Sequence, residues 1–138
     1  MKPDPRSSSG NWFRQAEHDL IAGERDFGAS DHSEACYHAE QTAQKTLKGF
    51  LILEGERNLQ VHSVHRLLIM CGEKRREFMA EEATAQVLSQ YYIPTRYPDA
   101  MADSVPPFAV YTQAQAREAL DGARRILELA RRLGGGGA

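Results

Sequence analysis

Two stretches of this chain carry side chains whose chemistry and spacing suit recognition of an anion. In the first, His38, Gln41, Lys45, Lys48 and Ile52 recur at intervals of three and four. On a helix that spacing puts an imidazole, an amide and two ammonium groups along one stripe. Such a stripe can meet a phosphate through charge-assisted hydrogen bonds, and a solvated helix face accounts for the same pattern. The second stretch is Tyr91-Tyr-Ile-Pro-Thr-Arg-Tyr-Pro-Asp-Ala100. Arg96 presents a planar fork of donors matched to phosphate or carboxylate, and Tyr91, Tyr92 and Tyr97 offer flat faces on which a base can stack. A structural account competes here too: Arg96 pairs with Asp99 or a helix end, and the tyrosines plug a core.

The elements that position these groups follow from apolar periodicity. Ala35, Ala39, Ala43, Leu47 and Leu51, with Phe50 beside them, make the opposite stripe of a long helix over Ser33–Leu53. Small residues in its first half let a neighbouring backbone come close. Asp31 and Ser33 are start signals, and Gly55 is the stop. Before it, Trp12, Ala16, Leu20 and Phe27 predict a helix from Asn11 to about Phe27, ended by Gly28. Residues 1–10, rich in Pro, Ser and Gly, read as a disordered lead. After Leu53, Ser63 caps a predicted third helix from about Val64 to Gly72. Lys74 to Glu82 is ambiguous, and Ala83, Val87, Leu88, Tyr91 and Tyr92 define a fourth helix that Pro94 stops. A crossover from Ile93 to Tyr111, with four prolines, leads to a last helix over Gln113–Leu133, capped by Thr112. The glycines of 134–138 form a flexible tail.

No alternating strand pattern and no long repeat interrupts this series. The expectation is an all-α, up-and-down bundle of about five helices occupying 11–133. At 138 residues the chain can bury about two-thirds of its unfolded surface as one domain. Its formal charge of -2 disfavours a general polyanion coat, so any nucleic-acid contact must be a local patch. Cys36 and Cys71 lie far apart within predicted helices, without the paired spacing of a zinc site or disulfide framework, and read as reduced core residues of a cytoplasmic protein. No metal or resident cofactor is expected. No apolar run is long enough to span a bilayer, so no membrane association is expected.

Trp12-x3-Ala16-x2-Asp19-Leu20, the run from Cys36 to Ile52, His62-Ser-Val64, the stretch from Tyr92 to Ala100 and the Tyr111-Thr112 lead toward Ala116 in the last helix together resemble the HEPN domain (higher eukaryotes and prokaryotes nucleotide-binding). The resemblance implies a helical bundle, usually a homodimer, that binds a nucleotide or RNA. It also implies a small nucleotidyltransferase as partner protein, in a two-component, toxin-antitoxin-like pair. Gln41, Lys45, Lys48, His62, Arg96, Tyr97 and Asp99 are the candidate nucleotide- and phosphate-binding residues. Many members are metal-independent ribonucleases in which an Arg is followed, four to six positions on, by a His acting on the 2′-hydroxyl. Here Ala100, Met101 and Ala102 fill the His slots after Arg96, whereas Arg57-Asn-Leu-Gln-Val-His62 fits the spacing at an unusual place. A non-catalytic binding domain is therefore the leading expectation. An endoribonuclease toxin using Arg57 and His62, and a dimerisation or interaction module without ligand, are the alternatives.

Overall fold

The computed structural model describes residues 4–92 and 106–134, which form five α-helices and no strand among the described residues. They are α1 (Pro5–Gly28), α2 (His32–Leu53), α3 (Val64–Lys74), α4 (Glu82–Ser89) and α5 (Gln113–Leu133). Short 3₁₀ segments occupy Arg76–Glu81 and Pro107–Ala109. The all-α bundle read from the sequence is the architecture found. Most of the expected crossover, at 93–105, and the expected tail at 135–138 lie outside the described residues.

α2 is the axis. Fourteen of its 22 residues are buried, more than one apolar stripe would require, because α1, α3, α4 and α5 all pack on it. Ala35, Ala39, Ala43, Leu47, Phe50 and Leu51 are fully buried, as the four-residue periodicity predicted. α1 lies antiparallel to α2 and approaches closely at two glycines. A methyl on Gly23 would stand 2.6 Å from Leu120 Cδ2 and 3.2 Å from His38 Cβ; one on Gly49 would stand 3.0 Å from Trp12 Cβ. α2 ends where Gly55 takes the left-handed conformation (φ 101°). Its N–H and that of Glu56 then satisfy the carbonyls of Ile52 and Leu51.

The N-terminal segment departs from expectation. The helix predicted from Asn11 begins at Pro5, so residues 5–10 are not a disordered lead. Asp4 caps it by accepting from Arg6 N, and Pro5 sits at the first helical position, where a missing N–H is harmless. Ser9, 2% exposed, donates a 2.8 Å hydrogen bond to Gly49 O. Serine and glycine composition masked this tie to α2. Gly28 does close α1, but the left-handed turn after it is taken by Ser30 (φ 62°).

The ambiguous stretch after α3 is a 3₁₀ segment that drives Phe78 edge-on against Phe50, with centroids 4.7 Å apart. α4 stops at Ser89, earlier than the apolar pattern suggested, and buried Tyr91 follows in a turn. α5 has the expected bounds and a complete capping box: Thr112 Oγ1 accepts from Gln115 N, and Gln115 Oε1 accepts from Thr112 N. Its arginines face the acids of α1. Arg117 grips Glu24 with two bonds of 3.0 and 2.6 Å, Arg124 reaches the same carboxylate at 2.8 Å, and Arg131 pairs with Glu17. Cys36 and Cys71 are free and fully buried, and burial pushes the Cys36 thiol up to about 12. Among the described residues, no helix is long and apolar enough to cross a membrane.

Candidate functional site

The polar stripe of α2 does not face open solvent. It is turned into the seam with α1 and the loop preceding α3, and Gln41, Lys45 and Lys48 lie around Glu40, which is fully buried. Gln41 Nε2 donates to Glu40 Oε1 at 2.6 Å, and Gln44 Nε2 donates to Glu40 Oε2 at 2.9 Å. Burial pushes the Glu40 carboxyl up to about 7. The two amide donors and the charges of Lys45 and Lys48 oppose that rise without cancelling it.

The two lysines occupy different situations. Lys45 Nζ lies 2.5 Å from Asp19 Oδ2 on α1, and Asp19 Oδ1 also accepts from Gln15 Nε2. Its charge is neutralised within the fold. Lys48, 6% exposed, has no carboxylate partner in an ion pair among the described residues. Its Nζ lies 3.4 Å from His62 Nδ1 and 5.7 Å from the centroid of the Trp12 ring. Burial holds its pKa below the usual lysine range, against the pull of Glu40.

His62 is exposed and joins this group at the surface. Its Nδ1 is also 3.5 Å from Gln44 Oε1, and its ring is parallel to that of Tyr92, at 4° with 6.2 Å between centroids. When Nδ1 accepts from Lys48, the imidazole is neutral and carries its proton on Nε2. Gln41, Lys45, Lys48 and His62 are thus brought together, as a network rather than a row of solvated groups. Arg96, Tyr97 and Asp99 lie outside the described residues.

Arg57 is exposed and makes no hydrogen bond or ion pair among the described residues. It and His62 lie in the irregular connection between α2 and α3, beside Asn58 at φ 55°, so neither is held by a helical turn. His38, the first member of the stripe, is taken up elsewhere: its Nδ1 is 2.6 Å from Asp26 Oδ2.

Sequence reasoning missed Glu40, Gln44 and Asp19. Glu40, Gln44 and Lys48 are spaced by four, a polar diagonal between the two stripes, and that spacing was the available signal. Asp19 comes from another helix, and only the α1–α2 register delivers it.

A model of the HEPN domain matches residues 9–133. Two solved structures are similar over nearly the whole chain. TT1696 from Thermus thermophilus is 36% identical, with a TM-score of 0.83 over 90% of this chain and 96% of that one. ST0689, an archaeal HEPN homologue, is 28% identical, with a TM-score of 0.77 over 97% of this chain and 99% of that one. No curated protein matches.

Proposed function

Because this chain belongs to the HEPN domain family, we propose that it is a non-catalytic nucleotide- or RNA-binding domain that receives phosphate at the Lys48–His62 end of the α2 seam. A nucleotide- or RNA-related role is the family's general association; the site is our reading. The observation that carries it is the environment of Lys48: an ammonium without a carboxylate ion partner among the described residues, next to an exposed imidazole stacked on Tyr92. A phosphate docking there replaces the weak contact to His62 with a charge-assisted bond, and the aromatic ring of Tyr92 offers a face on which a base can stack. Lys45, already paired with Asp19, supports the seam and adds little net charge. Arg96 follows Tyr92 by four residues, a tether of at most about 14 Å, which permits it to join the same anion. A homodimer and a nucleotidyltransferase partner belong to the same reading, on the strength of the family resemblance.

Trp12 is the chain's single tryptophan and lies beside Lys48, which supplies the assay. Titration with nucleotides and short RNA shifts Trp12 emission saturably and more weakly at higher salt, since phosphate contacts release counterions. Folded Lys48→Gln loses the response. If no nucleotide or RNA changes either the emission or the melting temperature of the wild type, the binding reading is wrong and the domain is an interaction module.

One observation favours a second reading. Arg57 and His62 are both exposed on one loop, and Arg57 is uncommitted among the described residues. An endoribonuclease built on them cleaves RNA without added metal and loses that activity in His62→Ala.

A further inference from the structure

We propose that Asp26, Glu34 and His38 bind one divalent transition-metal ion of the zinc type, clamped across the α1–α2 hairpin. One donor atom from each of the three lies within 4.8 Å of the other two, and all three residues are half-buried. The site is separate from the Lys48–His62 network and does not depend on the function proposed above.

The fold builds this arrangement in steps. Glu34 and His38 are four residues apart on α2, so a single helical face presents both. Asp26 sits in the last turn of α1, three residues after Gly23. Gly23 has no side chain, so α1 can lie against Ala35 O and His38 Cβ, and this close approach brings the imidazole of His38 up to the Asp26 carboxylate. Two rigid helices joined by a three-residue turn therefore hold the donors before any ion arrives. Preorganisation of this kind reduces the ordering that ligand binding would otherwise require.

Imidazole with two carboxylates suits a borderline divalent ion, with donors at about 2.0–2.2 Å and a fourth position left to water. An ion at such distances needs neighbouring donors about 3 Å apart. His38 Nδ1 and Asp26 Oδ2 are already at 2.6 Å, so they separate slightly while Glu34 closes in. With the ion between imidazole and carboxylate, Nδ1 is its ligand atom and the neutral ring carries its proton on Nε2. Two carboxylates offset the ion's double charge. Side-chain exposures of 24% for His38 and 25% for Asp26 leave a route of entry. Thr42 Oγ1 donates to His38 O, and Tyr37 lies edge-on to the imidazole ring, so both backbone and ring of His38 are supported.

The test is a thermal shift of the full chain with Zn²⁺ and, separately, Mg²⁺, for the wild type, Glu34→Gln and His38→Asn. At a hundredfold excess over Kd, Zn²⁺ raises the wild-type melting temperature by about 8 °C. Mg²⁺ does not, and both variants lose the zinc response. Glu34→Gln preserves the size of the side chain, so a fold defect is not the explanation of its loss. Co²⁺ reports the ligand set: one equivalent gives visible bands without thiolate charge transfer, which separates this site from Cys36. A wild type indifferent to Zn²⁺ overturns the proposal. So does a zinc shift that survives in both variants, or cobalt bands that carry a thiolate signature, because either places the ion elsewhere.

Discussion

Substituting Glu40 with Gln should abolish most of the protein's loss of stability between mildly acidic and mildly alkaline pH. Glu40 is fully enclosed, and burial moves its carboxyl from 4.5 to about 7. The native state therefore holds this proton more tightly than the unfolded chain does. Between those two values the native state binds more protons, and stability falls as pH rises; below 4.5 and above about 7 the contribution is level. The shift corresponds to about 3 kcal/mol across the window, to order of magnitude. The groups facing Glu40 are the amides of Gln41 and Gln44 and the ammonium groups of Lys45 and Lys48, and Glu40→Gln leaves all of them in place. Urea denaturation at half-unit steps from pH 5 to 8 gives the comparison. Subtracting the variant's curve cancels the histidines common to both proteins. The two stabilities should lie closest at pH 5 and separate by about 3 kcal/mol, in favour of the variant, by pH 8. A constant difference across the range refutes the assignment, whatever its size.

Two further outcomes test the packing. Gly23→Ala should destabilise the protein by about 1–3 kcal/mol in urea, because its methyl meets Leu120 and His38, whereas Gly28→Ala, with nothing within 4 Å, should be neutral or slightly stabilising; the reverse order would mean that the α1–α2 approach is wrong. Ser9→Ala should cost about 1 kcal/mol by removing the buried hydroxyl's bond to Gly49 O, and an unchanged midpoint would show that the first turns of α1 are not docked.

Helix periodicity is a local property, and the local properties were readable. The apolar stripes of α2 and α5, the Thr112 cap and the Gly55 stop depend on neighbours within one or two turns, and each is found where the spacing put it. The start of α1 was hidden because Ser9 is held by Gly49, forty residues away, while its own neighbours are those of a loop. For the same reason the polar stripe was only half legible. That His38, Gln41, Lys45 and Lys48 share one side of α2 follows from the 3.6-residue turn. That this side is covered by Asp19, Gln15 and Trp12 follows only from how α1 crosses it. Glu40 was passed over because a glutamate between Ala39 and Gln41 reads as solvated, and nothing in the run from Cys36 to Leu47 announces its enclosure.

The arginines of α5 that grip α1 stand at 117, 124 and 131, and the acids they meet at 17 and 24: the same interval of seven on both helices. Arg117 and Arg124 stand two turns apart and converge on Glu24, while Arg131 meets Glu17, so a slide of α5 along α1 disturbs these contacts together. Each contact is worth under about 1 kcal/mol at a partly exposed surface, so the lattice adds little tensile strength. Its effect is to favour the alignment in which both acids are met, and so to bias the register in which the last helix seats.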